Sequence, residues 1–407
     1  MKIGIFSDTH LGFDEKGQRC EDSFLALNQA IELCTSKNVD FMLLPGDVFD
    51  TTVPSHTVLF KSVNSFSKAK NSASQVKLKV EKNNEVRDII FSGIPILAIH
   101  GNHEYLGKEK RTALDVLNAS NLLIYFHAAK ITAQKGDEKV CIFGLGAVPE
   151  KMAFEVLKEW NPIPEKNCTN LLLTHQGYKD FMALDDEMIA SICLEDLPKG
   201  FDLIVNGHLH WSNLHKGPGI NFLLAGSTIP TSIKKLESEK PKGVYIYDTA
   251  SKSLNFEPFA LQRKMFYHKI IFSEADSQKV FAECKKLLDL DLSDSYEMKP
   301  LIRLNLKGTI KKGFSNSDID ISQIENTYSQ KALLSISKDF SSATFKAKIS
   351  ELRDMQKSKL SVVSLGFAIL EKNLKETEFG SNIDAKKLFE LLSKNEIDEA
   401  QKVILAK

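Results

Sequence analysis

Aspartate, asparagine and histidine recur in a restricted pattern through the first half of the chain: Asp8 and His10, Asp47, Asn102, His175, then His208 and His210. All are hard oxygen or imidazole donors, of the kind that hold manganese, iron or zinc. Two dications about 3.5–4 Å apart need a shared carboxylate, and Asp47 is the natural bridge. Asp8, His10 and His210 would complete one metal; Asn102, His175 and His208 would complete the other. Such a pair lowers the pKa of a shared water to give hydroxide at neutral pH and neutralises phosphate charge. The chemistry expected is hydrolysis of a phosphoester, with in-line attack on a phosphodiester. His103, beside Asn102, is outside the ligand set and is placed to stabilise the transition state or protonate the leaving oxygen.

The spacings D-x-H and H-x-H suit a shared target, because residues two apart in an extended segment point the same way. Gly46, Gly101 and Gly207 let the backbone turn sharply beside the ions. The elements that must carry these residues are also legible. An apolar run over 2–7 leads to Asp8, and a helix with Phe24, Leu27, Ile31 and Cys34 at helical spacing follows. The strand Phe41-Met42-Leu43-Leu44 then ends at Gly46-Asp47. Ile94–Ile99 precedes His100-Gly101-Asn102-His103, Leu171–Leu173 precedes Thr174-His175, and Leu203–Val205 precedes Asn206-Gly207-His208-Leu209-His210. Further strands are expected at 139–144, 220–225 and 243–247. Ligands of open α/β sheets gather at the carboxyl ends of strands. No glycine-rich nucleotide loop follows the first strand, so a generic Rossmann sheet is not the expectation. Each motif alone suits an ordinary turn, whereas all five in this order at strand ends do not. The histidines outside the motifs (His56, His127, His215, His268) read as surface or packing residues, and His100 as strand-end packing.

A chain of 407 residues leads us to expect two or three domains. Formal net charge is zero, which gives no sign of a polyanionic partner. Residues 1–248 hold 27 basic and 31 acidic side chains and residues 249–407 hold 26 and 22, so the acidic half is the metal half. No stretch approaches the roughly 20 apolar residues of a membrane span, and the N-terminus runs straight into a buried-strand pattern. The six cysteines form no CxxC pair, which argues against a disulfide framework or a thiolate zinc site and suits a reducing cytosol.

Residues 64–88 are polar and lysine-rich (Lys68, Lys70, Lys77, Lys79, Lys82) and read either as a helix extension or as a loop. After about residue 260 the pattern becomes a small α+β region, with strands at 267–272, 301–307 and 332–336 and a helix near 276–288. From about 343 onward it is helical: Phe345, Ile349, Leu352 and Met355 form one stripe, Leu388, Leu391 and Leu392 another, and Ile397, Ala400, Val403 and Ile404 a third. Boundaries are placed at 1–258, 259–340 and 341–407.

Asp8-Thr9-His10, Gly46-Asp47, Gly101-Asn102-His103-Glu104, His175 and Gly207-His208-Leu209-His210 resemble, in order, the calcineurin-like metallophosphoesterase superfamily. The resemblance covers about 1–248. It implies an α/β sandwich of two mixed β-sheets flanked by helices, followed here by the small α+β region and terminal helices. Ser7–Gly12, Gly46–Asp50, Thr174–Gly177, Asp196–Gly200 and Gly226-Ser227-Thr228-Ile229-Pro230-Thr231-Ser232 are similar to the meiotic-recombination-eleven nuclease family, whose bacterial counterpart is SbcD.

That narrower resemblance implies a DNA nuclease with two Mn2+ per subunit, acting as single-strand endonuclease and 3′-5′ double-strand exonuclease at double-strand breaks. It also implies a homodimer bound to a coiled-coil ABC-type ATPase of the radiation-sensitive-fifty or SbcC type, in the cytoplasm. The α+β region would cap the DNA and the terminal helices would dock on the ATPase, though such helices also suit an internal bundle. Lys299, Arg303, Lys307, Lys311 and Lys312 lie on or beside one expected strand with no acidic residue between them. Such a stripe suits phosphate contacts, and equally a solvated face. At Asp50 the resemblance implies a histidine that contacts DNA phosphate, and Glu104 replaces the commoner aspartate. Two other readings remain open: a nucleotide or small-molecule phosphodiesterase, and a DNA-end-bridging scaffold for the ATPase.

Overall fold

The structure, a computed structural model, describes residues 1–105, 110–182, 192–312, 315–341, 385–393 and 396–405. It divides into two units: Met1–His268 with Asp291–Arg303 and Tyr328–Ser335, and Lys269–Leu290 with Leu304–Thr327 and Ile336–Lys407.

In chain order the strands of the first unit are β1 (Lys2–Ile5), β2 (Phe41–Pro45), β3 (Lys77–Lys82), β4 (Glu85–Ile89), β5 (Ile96–Ile99), β6 (Ile124–Tyr125), β7 (Ala129–Lys135), β8 (Glu138–Leu145), β9 (Thr169–Thr174), β10 (Leu203–Asn206), β11 (Asn213–Gly217), β12 (Ile220–Leu224), β13 (Gly243–Asp248) and β14 (Ser253–Pro258). They build a six-stranded sheet, β14-β13-β1-β2-β5-β6, and an eight-stranded sheet, β11-β12-β10-β9-β8-β7-β3-β4. Strands β1, β2 and β5 are parallel, as are β8, β9, β10 and β12.

Alternation along the strands sets the layers. Ile3, Ile5, Phe41, Leu43, Leu97 and Ile99 of the first sheet meet Ile142, Leu171, Leu173 and Val205 of the second. The intervening Met42, Leu44, Ile96 and Ala98 face outward, against Phe24, Leu27, Ile31 and Cys34 of α1 (Asp22–Ser36), Val58 and Phe66 of α2 (His56–Ser67) and Leu114 and Leu117 of α3 (Ala113–Ala119). The outer face of the second sheet, with Phe143, Leu172 and Ile204, packs on Leu157 of α4 (Ala153–Trp160), and a single turn, α5 (Lys235–Ser238), lies between β12 and β13. Apolar cover on both faces explains why the central strands read as unbroken apolar runs. Each of these fully buried side chains contributes about 1.5–3 kcal/mol, and Leu43→Ala would cost about 2–5 kcal/mol. The sandwich flanked by helices is the fold expected from the motifs.

The 64–88 segment resolves the alternative left open above. After α2, β3 and β4 form a hairpin, and β3 pairs antiparallel with β7. Leu78 turns into the core between the sheets while Lys77 and Lys79 stay exposed. The turn is Asn83-Asn84, with φ 52° and 64°, the paired left-handed geometry that two-residue hairpins use. Period-two alternation around Asn-Asn was the available signal, and the lysines obscured it.

In the second unit, α6 (Ser277–Asp291) lays Val280, Cys284 and Leu288 on a small core that includes Phe272, Leu304, Leu306, Ile310 and Phe340. These last residues belong to β15 (Met265–Ala275), β16 (Leu301–Ile310) and β17 (Leu333–Ser341), ordered β15-β16-β17. A short α7 (Ser322–Tyr328) adds Ile324. Helices α8 (Ala385–Ser393) and α9 (Ile397–Leu405) follow, with Leu388 and Ala400 buried and Leu392 and Ile397 exposed. The Phe345–Met355 stripe lies outside the described residues. Among the described residues no helix is long and apolar enough to cross a membrane.

Candidate metal centre

Parallel strands bring the motifs to one edge of the sandwich. Asp8 follows β1, Asp47 follows β2, His100–His103 follow β5, His175 follows β9 and His208 follows β10. The loops are then knitted together by backbone hydrogen bonds, Asp8 N–H to Gly46 O at 3.1 Å and His10 N–H to Asp47 O at 3.0 Å.

The donor atoms form two groups that share Asp47. Asp8, His10, Asp47 and His210 place one ligand atom each within 4.8 Å of one another, and so do Asp47, His175 and His208. These are six of the seven residues expected to ligate, without Asn102, and a further overlapping group joins His10 to Asp50 and His103. Asn102 sits between Gly101 and His103 with its side chain exposed. A Cβ on Gly101 would collide with the Asp47 carboxylate, and one on Gly207 with Pro45 O.

Three histidine rings are held by Nδ1 so that Nε2 faces the cluster. His175 Nδ1 donates to Pro45 O at 2.7 Å and His10 Nδ1 to Asp50 Oδ1 at 3.1 Å, while His210 Nδ1 bonds Thr231 Oγ1. Fixing the far nitrogen sets the tautomer that leaves Nε2 free to ligate. His10 Nε2 and His210 Nε2 then face each other across 3.2 Å, close enough to share a proton or a cation between them. Asp8 Oδ2 is buried without a hydrogen-bond partner, and His175 Nε2 lies 3.2 Å from Asp47 Oδ2. Buried polar atoms without partners are costly. The donor set therefore fits a pair of divalent cations.

Electrostatics divide the four imidazoles: burial opposes charge on each, yet the Asp50 bond raises His10 and Asp47 raises His175, while His208 and His210 stay low. Burial pushes the Asp8 carboxyl up to about 6, with the His175 charge opposing and Asp47 adding. At Asp47 burial also opposes ionisation, but the His175 and His10 charges hold it well below the usual carboxylate range. Burial works against charge on His175 too, yet the Asp47 carboxylate lifts it to about 10. Burial, then His175, lowers His208 to about 4; burial, then His10, keeps His210 well below its ordinary value. Neutral imidazoles are the form that binds metals.

The extended geometry expected for D-x-H is not what aligns the ligands. Asp8, His10, Asp47 and His208 adopt left-handed backbone, with φ of 51°, 44°, 46° and 75°. The segments beyond the strands turn at four of the seven ligands, so convergence there comes from tight bends rather than from strand alternation.

His103 lies at the exposed rim, its ring centroid 4.9 Å from that of His10. Its N–H donates to Asp47 Oδ1 at 3.1 Å and its Nδ1–H to Asp50 O at 2.6 Å, which leaves Nε2 for an external group. Asp50 has its carboxylate on His10 and its carbonyl on His103.

Glu104 was read in sequence only as a departure from the commoner aspartate, and Glu150, Glu237 and Lys242 were not singled out. Glu104 is fully enclosed, with Oε1 accepting from Phe49 N–H at 2.7 Å and Oε2 from Gly101 N–H at 2.6 Å. Burial, then Asp47, pushes its carboxyl up to about 8. Lys242 Nζ, also buried, donates to His210 O at 2.8 Å and Ser227 Oγ at 2.9 Å, and pairs with Glu237 at 3.2 Å. Ser232 Oγ donates to Glu237 Oε2 at 2.8 Å. The Gly226–Ser232 segment thus braces His210 from behind. Glu150 Oε1 is 3.9 Å from His208 Nε2.

The basic residues of β16 are placed differently. Burial alternates along the strand, with Leu304, Leu306 and Ile310 inward and Arg303, Asn305 and Lys307 on the opposite face. Lys307 pairs with Asp339 at 3.1 Å and Lys311 with Asp276 at 3.8 Å. Arg303 bonds Ser335 Oγ, Lys299 Nζ donates to Ser329 O at 3.3 Å, and Lys312 is exposed.

A profile of the calcineurin-like phosphoesterase family matches residues 1–212. The chain belongs to that family. Its relatives include the double-strand break repair protein MRE11 of Arabidopsis thaliana, 28% identical over 61% of this chain and 39% of that protein. Another is the DNA double-strand break repair protein Mre11 of Thermoplasma acidophilum, 26% identical over 77% of this chain and 79% of the relative. The MRE11 of Rattus norvegicus is 25% identical over 75% and 50%. The chain spans about two fifths of the length of the plant relative. It is a metal-dependent phosphoesterase by family, and its donor groups fit that chemistry.

Proposed function

We propose that the chain is a manganese-dependent DNA nuclease that processes double-strand breaks, acting as single-strand endonuclease and 3′-5′ double-strand exonuclease. The single observation that carries the chemistry is the pair of donor groups joined at Asp47, with His103 on the open side. The choice of DNA as substrate is supported by the relatives' names. When bound, the two dications supply an activated water and neutralise phosphate charge.

The chain's own residues divide the remaining work. Asp8, His10 and His210 would hold one cation, Asn102, His175 and His208 the other, and Asp47 would serve both. Asp50 and Thr231 fix the rings of His10 and His210. With Nδ1–H committed to Asp50 O, the His103 ring presents Nε2 outward, and its cationic form donates a proton to the leaving oxygen.

In this reading residues 259–340 cap the DNA, with Arg303 and Lys307 on the outward face of β16 beside Lys299, Lys311 and Lys312. Residues 341–407 dock a coiled-coil ABC-type ATPase, the active form is a homodimer, and it works in the cytoplasm. The test sets supercoiled and single-stranded DNA beside a chromogenic diester, with manganese, for wild type and His103→Ala, with and without the ATPase. DNA cleavage lost in the variant is the expected result. Cleavage of the small diester alone would instead identify a small-molecule phosphodiesterase.

A further inference from the structure

A second set of donors lies at the opposite end of the eight-stranded sheet. Cys141 is near the start of β8, Cys168 directly precedes β9, and the two strands run parallel with Cys141 opposite Asn170. Both strands lead toward His175, so this set is about 20 Å along the sheet from the metal centre. Far apart in sequence and outside any CxxC pair, these cysteines give no sign in the chain that they meet.

The Cys141 and Cys168 sulfurs and a Glu165 carboxylate oxygen lie within 4.8 Å of one another. Cys168 Sγ is 3.9 Å from Glu165 Oε2. The carboxylate is already aimed. Its Oε1 is taken by Lys130, which also pairs with Glu81 at 2.6 Å. The loop beneath is pinned by the buried Asn170, whose Oδ1 accepts Glu165 N–H at 2.8 Å and whose Nδ2 donates to Glu165 O at 2.9 Å and Cys168 O at 3.1 Å. A ligand carboxylate whose other oxygen is hydrogen-bonded is a recurring part of metal sites. Cys141 is buried, while Cys168 and Glu165 are half-exposed and leave a path from solvent.

We propose that Cys141, Cys168 and Glu165 form a second cation site, for a thiophilic dication such as zinc. Loading exchanges two thiol protons, released to solvent, for one dication held by two thiolates and a carboxylate. Burial pushes the Cys141 thiol up, so a hard cation does not displace its proton, whereas thiolates favour zinc and its softer congeners. The chain would then sort metals: oxygen and imidazole donors at one edge, sulfur at the other.

The test uses the full chain, metal-free and anaerobic under a phosphine reductant, titrated with Cd2+. The readout is the ultraviolet thiolate-to-cadmium charge-transfer band, to which the sulfur-free Asp/His centre is silent. A stoichiometric, saturating band is expected, retained in His175→Asn and Cys193→Ser, lost in Cys168→Ser and weakened in Glu165→Gln. Because Cys141 is in the core, the partly exposed Cys168 carries the decisive substitution. Absence of a saturating band in folded wild type, or its survival in folded Cys168→Ser, overturns the site and leaves a thiol–carboxylate hydrogen-bond cluster.

Discussion

The backbone N–H of His103 donates to Asp47 Oδ1 at 3.1 Å, tying an exposed imidazole to the carboxylate shared by both donor groups. Because the link is through the main chain, the side chain of His103 can be removed without disturbing Asp47. His103→Ala is expected to keep manganese affinity and lose turnover by about a hundred- to ten-thousandfold. Calorimetric titration with Mn2+ alongside single-turnover cleavage checks both halves. A variant with near-wild-type turnover would remove His103 from the chemistry.

The brace behind His210 predicts a different pattern. Thr231→Val deletes the Nδ1 partner while keeping shape, and manganese affinity should fall by roughly 10–100-fold, with little change in melting temperature. Lys242→Met also leaves Glu237 buried without its cation, so it should destabilise by about 3–5 kcal/mol. Thermal melts and Mn2+ titrations of the two variants separate orientation from stability.

Glu104 joins the loop after β2 to the loop after β5 by accepting two backbone N–H groups. In Glu104→Gln the amide nitrogen must face one of those donors. The expected cost is about 1–3 kcal/mol, read by urea unfolding, together with weaker metal binding because Gly101 and Phe49 flank the Asn102 and Asp47 turns.

Stability should also depend on pH through His127. Burial, then the neighbouring His100 and Lys82, lowers it to about 4, while its Nδ1 accepts Gly146 N–H at 3.1 Å. Between its ordinary value of about 6.5 and that folded value, the unfolded chain takes up a proton that the folded chain refuses. Stability is therefore complete above about pH 6.5 and falls as pH drops toward 4, by up to about 3 kcal/mol. His127→Asn should flatten this decline in melts run across pH 4–7. An unchanged slope would assign the decline to other groups.

The sandwich and the gathering of hard donors at its edge were legible because both depend on local facts: apolar runs, and the residues at their carboxyl ends. What was not legible depends on long-range placement. Glu237 and Lys242 are ordinary surface-type residues, and Thr231 a motif residue without a role, until the fold sets them behind His210. Asp50 read as a departure at a DNA-contact position, and only the approach of His10 shows what its carboxylate touches. The β3–β4 hairpin hid because strands near the end of a sheet need one apolar face only, and Leu78 and Val80 among lysines make a faint stripe.

The left-handed ligands have a consequence for descent. Aspartate, asparagine and histidine are the L-residues that enter that backbone basin most cheaply, and they are also the ones that grip divalent ions. At Asp8, His10, Asp47 and His208 one letter answers both demands. A lineage that abandoned catalysis would be freed from the ion but not from the bend. Its sequences would drift there toward glycine and asparagine rather than alanine or valine, a fossil of the centre written in turns.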